Sequence, residues 1–135
     1  MELTVYLTFS GEGEAAIENY SQIFDGKVNA LTRYKEAPFE TPVDYKDKIM
    51  FAELELQGIK LLISDIAPGR YELQQGNQVA LMLNFNNQNE IKRIFEALAV
   101  GGTIIEQLEN TFWGTTFGML TDKFGITWKL SCPQN

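Results

Sequence analysis

The stretch Ile49 to Leu56 alternates apolar and polar residues, which reads as a strand with Phe51, Glu53 and Glu55 on one face. An aromatic ring with a carboxylate two positions along is a plausible wall of a binding site. Glu53 would serve there as a general base or ligand anchor, and it is the one weak candidate for a catalytic group. The competing reading is a solvent-facing carboxylate or half of a structural ion pair. Phe112, Trp113 and Trp128 could stack a planar ligand or pack in the core or a dimer contact; Trp113 stands in a glycine-flanked turn. Tyr6, Tyr34, Tyr45 and Tyr71 offer hydroxyls, but no spacing selects one of them. Glu12, Glu14, Asp44 and Asp47 could form a carboxylate-only metal site or simply a solvated acidic loop.

The chain contains no histidine. Ser/His/Asp and Cys/His triads are therefore excluded, and the commonest ligand of a catalytic metal is missing. Cys132 has no histidine to activate it, and Ser131-Cys132-Pro133 matches no nucleophile motif. No GxxxxGK[ST] phosphate loop occurs. A lone cysteine cannot form an internal disulfide, so a reducing, cytoplasmic setting is expected. The net charge of −7 disfavours nucleic acid and anionic membrane as partners, because both surfaces repel it. No segment approaches the roughly 20 apolar residues that span a bilayer, and Met1-Glu2-Leu3-Thr4 lacks the basic start of a signal peptide.

The elements that must position these residues follow from periodicity. Leu3 to Phe9 reads as a strand. Ala16, Ile17, Tyr20, Ile23 and Phe24 make one face of a helix from about Glu14 to Phe24, ended by Asp25-Gly26 with the glycine as left-handed cap. Lys27 to Tyr34 is a second strand. Lys35 to Lys48, with Pro38 and Pro42, is a long loop suited to a lid or an exchanged segment. Ile49 to Leu56 and Ile59 to Asp65 form a hairpin across Gln57-Gly58.

After a linker from Ile66 to Asn77, the plan restarts. Gln78 to Phe85 is a strand, Asn86 to Asn89 supplies N-caps, and Ile91, Ile94, Phe95 and Leu98 make a helical stripe ended by Gly101-Gly102. Thr103 to Leu108 is a strand, Asn110 to Gly114 an aromatic turn, and Thr116 to Thr121 with Ile126 to Ser131 the closing hairpin. The tail from Cys132 onward is expected to be loose. Phe51 to Leu61 can be laid over Phe117 to Thr127 with a one-residue offset at the turn, so the chain reads twice through one plan.

Three segments sharpen that plan: Tyr6-Leu7-Thr8-Phe9 with Ala16-Ile17-Glu18-Asn19-Tyr20, then Asn110-Thr111-Phe112-Trp113-Gly114, then Thr121-Asp122-Lys123-Phe124-Gly125-Ile126-Thr127-Trp128. Together they resemble the PhnB-like branch of the vicinal oxygen chelate superfamily, the glyoxalase and bleomycin-resistance fold. Asn110 stands where that branch commonly has aspartate. The resemblance covers nearly the whole chain. It implies an α+β fold of two βαβββ modules, about 1–66 and 78–132, forming curved mixed sheets around a concave pocket in a single domain of 135 residues. It also implies a homodimer and a small-molecule ligand.

In metal-dependent relatives the ligands come from four strand positions, which fall here near Val5, Phe51, Gln78 and Lys129. Met50-Phe51-Ala52-Glu53-Leu54 stands where the branch often carries histidine. Val5 and Phe51 cannot bind a cation, Gln78 is a weak neutral ligand, and Lys129 is itself a cation. The expectation is a site with no metal and no other cofactor, walled by Phe51, Glu53, Gln78, Met82, Trp113 and Lys129, with Glu53 facing Lys129. Some relatives carry a name for ubiquinone methylation, but no glycine-rich turn after a buried parallel strand is read here for S-adenosylmethionine.

Three functions fit this sequence. The first is binding of a small, partly apolar or aromatic molecule. The second is a vicinal-oxygen-chelate isomerase, lyase or dioxygenase with Glu53 as base, Gln78 orienting and Lys129 stabilising an oxyanion. The third is a structural or regulatory dimer whose pocket is filled by Phe51, Met82, Met119 and Trp128.

Overall fold

The computed structural model describes residues 1–134. The chain divides into two compact units, Met1–Gln74 and Gln75–Asn135. Unit 1 runs β1 (Val5–Phe9), α1 (Gly13–Phe24), β2 (Lys27–Arg33), β3 (Ile49–Leu56) and β4 (Ile59–Asp65). Unit 2 runs β5 (Leu81–Asn84), α2 (Gln88–Ala99), β6 (Thr103–Asn110), β7 (Thr115–Thr121) and β8 (Thr127–Pro133). Each unit is an open four-stranded mixed sheet, ordered β1-β4-β3-β2 and β5-β8-β7-β6, with one parallel pair and one helix. The chain is therefore α+β, two βαβββ modules, as the periodicity requires.

In unit 1, alternation sorts the strands onto two faces. Leu7, Phe9, Ala52, Leu54, Leu56, Leu61 and Ile63 are buried, together with Ala16, Ile17, Tyr20, Ile23 and Phe24 of α1. Helix and sheet bury one apolar face against each other, the main stabilising term. The entrance to α1 has no local side-chain cap. Asp65, at the end of β4 and 1% exposed, caps it from a distance. Its Oδ1 accepts from the N–H groups of Gly11 (3.0 Å) and Gly13 (2.8 Å), and its Oδ2 from that of Ile49 (2.9 Å). A Cβ on Gly13 would lie 2.9 Å from Oδ1, so only glycine fits there.

The segment between β2 and β3 is tied down rather than free. Short 3₁₀ turns occupy Tyr34–Glu36 and Val43–Tyr45. The Tyr34 hydroxyl donates to the carbonyl of Asp65, and that of Tyr45 to the carbonyl of Ile66. Lys48 Nζ donates to the carbonyl of Gly11, and Arg33 Nη1 to that of Asp47. Burial, then the nearby Asp65 charge, pushes the Tyr45 hydroxyl up to about 12.

The helix ends differ from expectation. Asp25 itself adopts the left-handed conformation (φ 53°), and Gly26 does not supply it. Gly26 is needed for space instead, since a Cβ there would meet Leu56 Cδ2 at 2.6 Å. The β3–β4 turn has positive φ at both Gln57 and Gly58, the geometry that matches strand twist.

In unit 2, α2 is capped locally: the Asn87 side chain accepts from the Glu90 N–H at 2.9 Å. Ile91, Ile94, Phe95 and Leu98 are buried with Leu120, Trp128, Leu130 and Cys132. Gly118 sits under the helix, and a Cβ there would lie 2.7 Å from Phe95. β5 begins at Leu81, so Gln78 lies outside the strand expected to carry it. The tail is not loose through residue 134. β8 continues to Pro133, Cys132 pairs with Thr116, and the Gln134 side chain donates to the carbonyls of Thr111 and Thr115.

Two outcomes follow from these contacts. Asp65→Ala leaves two buried N–H groups and a part-buried one without their acceptor and is expected to cost on the order of 3 kcal/mol in urea unfolding, with Asp65→Asn recovering part of it. Tyr45 is raised on folding, so its contribution is complete below its ordinary value near 10 and is lost as pH rises towards about 12. Unfolding measured across that window is expected to show a loss of stability that Tyr45→Phe reduces.

Candidate functional site

The faces opposite the helices carry the candidate residues. In unit 1, register places Tyr6 opposite Leu62, Leu62 opposite Glu53, and Glu53 opposite Ala30. Phe51 and Glu53 share that face, half-buried, while Ala52 and Leu54 point to the helix. Glu53 already has partners. Lys60 Nζ lies 3.6 Å from its Oε1, and Asn29 Nδ2 donates to its Oε2 at 3.2 Å. These are the contacts of a cross-strand ion pair, extended by one amide.

In unit 2 the corresponding row is Met82, Lys129, Met119 and Glu106, each opposite the next across β5, β8, β7 and β6. Asn84, Ser131, Phe117 and Glu109 form the adjoining row. Met82 and Lys129 are thus brought together as cross-strand partners. The repeat holds in register: Leu62 matches Lys129, Ser64 matches Ser131, and Asp65 matches Cys132.

The other predicted residues lie elsewhere. Gln78 is exposed in a bend before β5. Trp128 is 2% exposed on the helix side, where its Nε1 donates to Asp122 Oδ2 at 2.9 Å; it is core, neither a stacking surface nor a pocket filler. Trp113 and Phe112 stand out in the β6–β7 turn, their rings edge to face at 4.9 Å, with Phe112 97% exposed. Cys132 is buried in the core, which fits its inert reading.

A feature that sequence reasoning missed is a groove of about 570 Å³ between α2 and the edge strand β6. Phe95 and Leu108 contribute apolar lining, and Gln88, Asn89, Gln107 and Asn110 contribute amides. Part of that polar lining is already engaged: Thr116 Oγ1 donates to Asn110 Oδ1 at 2.8 Å, and Gln88 Nε2 donates to the carbonyl of Pro133 at 2.9 Å. The amide run Asn86 to Asn89 was the available signal, but helix capping accounts for it equally well.

The positions implied for a metal do not fit one. Val5 and Phe51 offer no donor atom, Gln78 lies off the strand, and Lys129 brings a positive charge. Among the described residues, no three side chains of His, Cys, Asp or Glu form a group that could hold a metal ion. Of the acidic loop residues, Glu14 pairs with Arg33, Asp47 with Lys35, and Glu12 accepts from the Ser10 N–H.

The family described as 3-demethylubiquinone-9 3-methyltransferase matches residues 1–131. The chain belongs to this family. Its fold and relatives place it in the PhnB-like branch of the vicinal oxygen chelate superfamily. A Pseudomonas aeruginosa protein of known structure, PA1353, is 36% identical over 100% of this chain and 99% of its own, with a TM-score of 0.88. A Bacillus cereus structure described as a PhnB protein is 25% identical, covers 98% of this chain and 99% of its own, and has a TM-score of 0.80. A glyoxalase/bleomycin resistance protein/dioxygenase family enzyme from Burkholderia phytofirmans shares the fold, at 14% identity and a TM-score of 0.64, over 96% of this chain and 97% of its own.

The turn after β1, Ser10-Gly11-Glu12-Gly13-Glu14, holds two glycines, Gly11 and Gly13, and leads into α1. Their N–H groups are taken by Asp65, so the helix N-terminus is filled from within.

Glu53→Gln is expected to shift unfolding stability by no more than about 1 kcal/mol, because its bridge is to the exposed side chain of Lys60 and stays open to solvent on that side. A markedly larger loss in chemical denaturation would show that Glu53 does more than bridge.

Proposed function

We propose that this PhnB-like protein binds a small, partly apolar or aromatic molecule against an open sheet face, the face opposite the helix of a unit, without a divalent metal. The observation that carries this reading is the side-chain set on those faces. Phe51, Leu62 and Tyr6 in unit 1, and Met82, Met119 and Phe117 in unit 2, set apolar and aromatic side chains beside polar and charged ones such as Glu53, Lys129 and Ser131. Small-molecule sites have that composition: apolar walls supply affinity and a few polar atoms fix orientation. Methionines add adaptable, polarizable contacts.

A homodimer in a reducing, cytoplasmic setting belongs to the same reading. It is supported by the resemblance and by the single cysteine. No helix among the described residues is long and apolar enough to cross a membrane. The enzyme reading with Glu53 as base draws no support from the bridge to Lys60 and Asn29.

The test is native mass spectrometry of protein purified without added metal, with elemental analysis in parallel. The expected result is a dimer free of stoichiometric metal, with a small organic adduct where the ligand survives purification. A divalent ion retained at one per chain would overturn the metal-free reading.

A further inference from the structure

We propose that Lys129 receives an anionic group of the ligand, so that the molecule bound is a small organic anion with an apolar or aromatic body. This rests on the binding reading above and names the ligand's charge.

Lys129 comes from β8, an interior strand of its sheet. Its cross-strand neighbours are Met82 and Met119, whose thioethers are at best weak hydrogen-bond acceptors. The side chain is half-buried, and no ion pair or hydrogen bond holds its ammonium among the described residues. Glu106, the acidic residue in the same row, stands two strands away beyond Met119, roughly 10 Å in strand spacings. A cation drawn partly out of water without a counter-charge is destabilising, and a bound carboxylate or similar oxyanion offsets that cost.

The internal repeat shows that the fold does not need this charge. The matching position in unit 1 is Leu62, between Tyr6 and Glu53. There the row's one charge, Glu53, is satisfied within the protein by Lys60. Unit 2 reverses the arrangement: the strand position of Glu53 becomes Met119, and the apolar position becomes a lysine with no ion-pair partner among the described residues. The apolar neighbours select an apolar ligand body, and the ammonium selects its charge. The chain's overall charge of −7 opposes anions at long range, so the attraction must be local and short-ranged.

The experiment compares phenylacetate with its neutral amide, phenylacetamide, by ligand-observed NMR titration of the full chain. Lys129→Met and Lys129→Arg serve as variants, and both should fold because the repeat already accepts leucine at this position. Circular dichroism and thermal unfolding check that they do. The expected result is that phenylacetate binds more tightly than the amide. Lys129→Met should lose about tenfold in phenylacetate affinity, with Lys129→Arg restoring most of it. Equal binding of the two probes, or phenylacetate binding unchanged in Lys129→Met, overturns the anion assignment and leaves the binding reading standing. Binding of the amide alone does the same. Failure of both probes, together with an adduct-free native mass spectrum, counts against the binding reading itself.

Discussion

The carboxylate of Asp65 is the interaction on which unit 1 depends. It gathers N–H groups from the exit of β1, the entrance of α1 and the start of β3. These points lie 54, 52 and 16 residues away along the chain. One side chain thus sets the angle between helix and sheet and the register at which β3 enters. Through its carbonyl it also holds Tyr34, and the adjacent Ile66 holds Tyr45, so the long connection between β2 and β3 is pinned to the same corner. With the helix side of the sheet fixed in this way, alternation leaves Phe51 and Glu53 on the other face.

Unit 2 repeats the plan and replaces this device. Cys132 stands where Asp65 would be, and α2 is capped by Asn87 from its own chain neighbourhood. A buried carboxylate with no remote N–H groups to satisfy would be costly, whereas a cysteine packs as a small hydrophobe. The other buried carboxylate, Asp122, serves a local turn: it accepts from Phe124, Ile126 and the Trp128 indole. The same architecture is therefore held by a long-range polar hub in one unit and by local caps plus apolar packing in the other. That freedom extends to the open faces, where matched positions carry unlike charges.

Much of the fold was legible because it rests on periodicity. The hairpin of β3 and β4 has the bounds that its alternation and Gln57-Gly58 indicate. The helices agree to within a residue or two, since their apolar stripes are strong. The misreadings share one cause. Gln78 opens the apolar run that leads into β5, yet the strand pairs only from Leu81. Cys132-Pro133 looks like a frayed end, but Gln134 ties it to the β6–β7 turn. Trp128 suits a stacking surface as well as a core until Asp122 is seen to take its indole N–H. In each case the deciding partner is remote or occupies a turn whose geometry the residue types leave open.

By itself the sequence determined the element order, the two-fold plan, the resemblance to the PhnB-like branch and the removal of histidine chemistry, because strand and helix periods and residue types are local properties. Only the tertiary structure decided which charged groups have partners. Glu53 and Lys129 look equivalent as charges carried by strands, but one is bridged by Lys60 and the other lies between two methionines. Pairing depends on cross-strand register, and register is set by contacts such as those of Asp65 that join residues far apart in the chain.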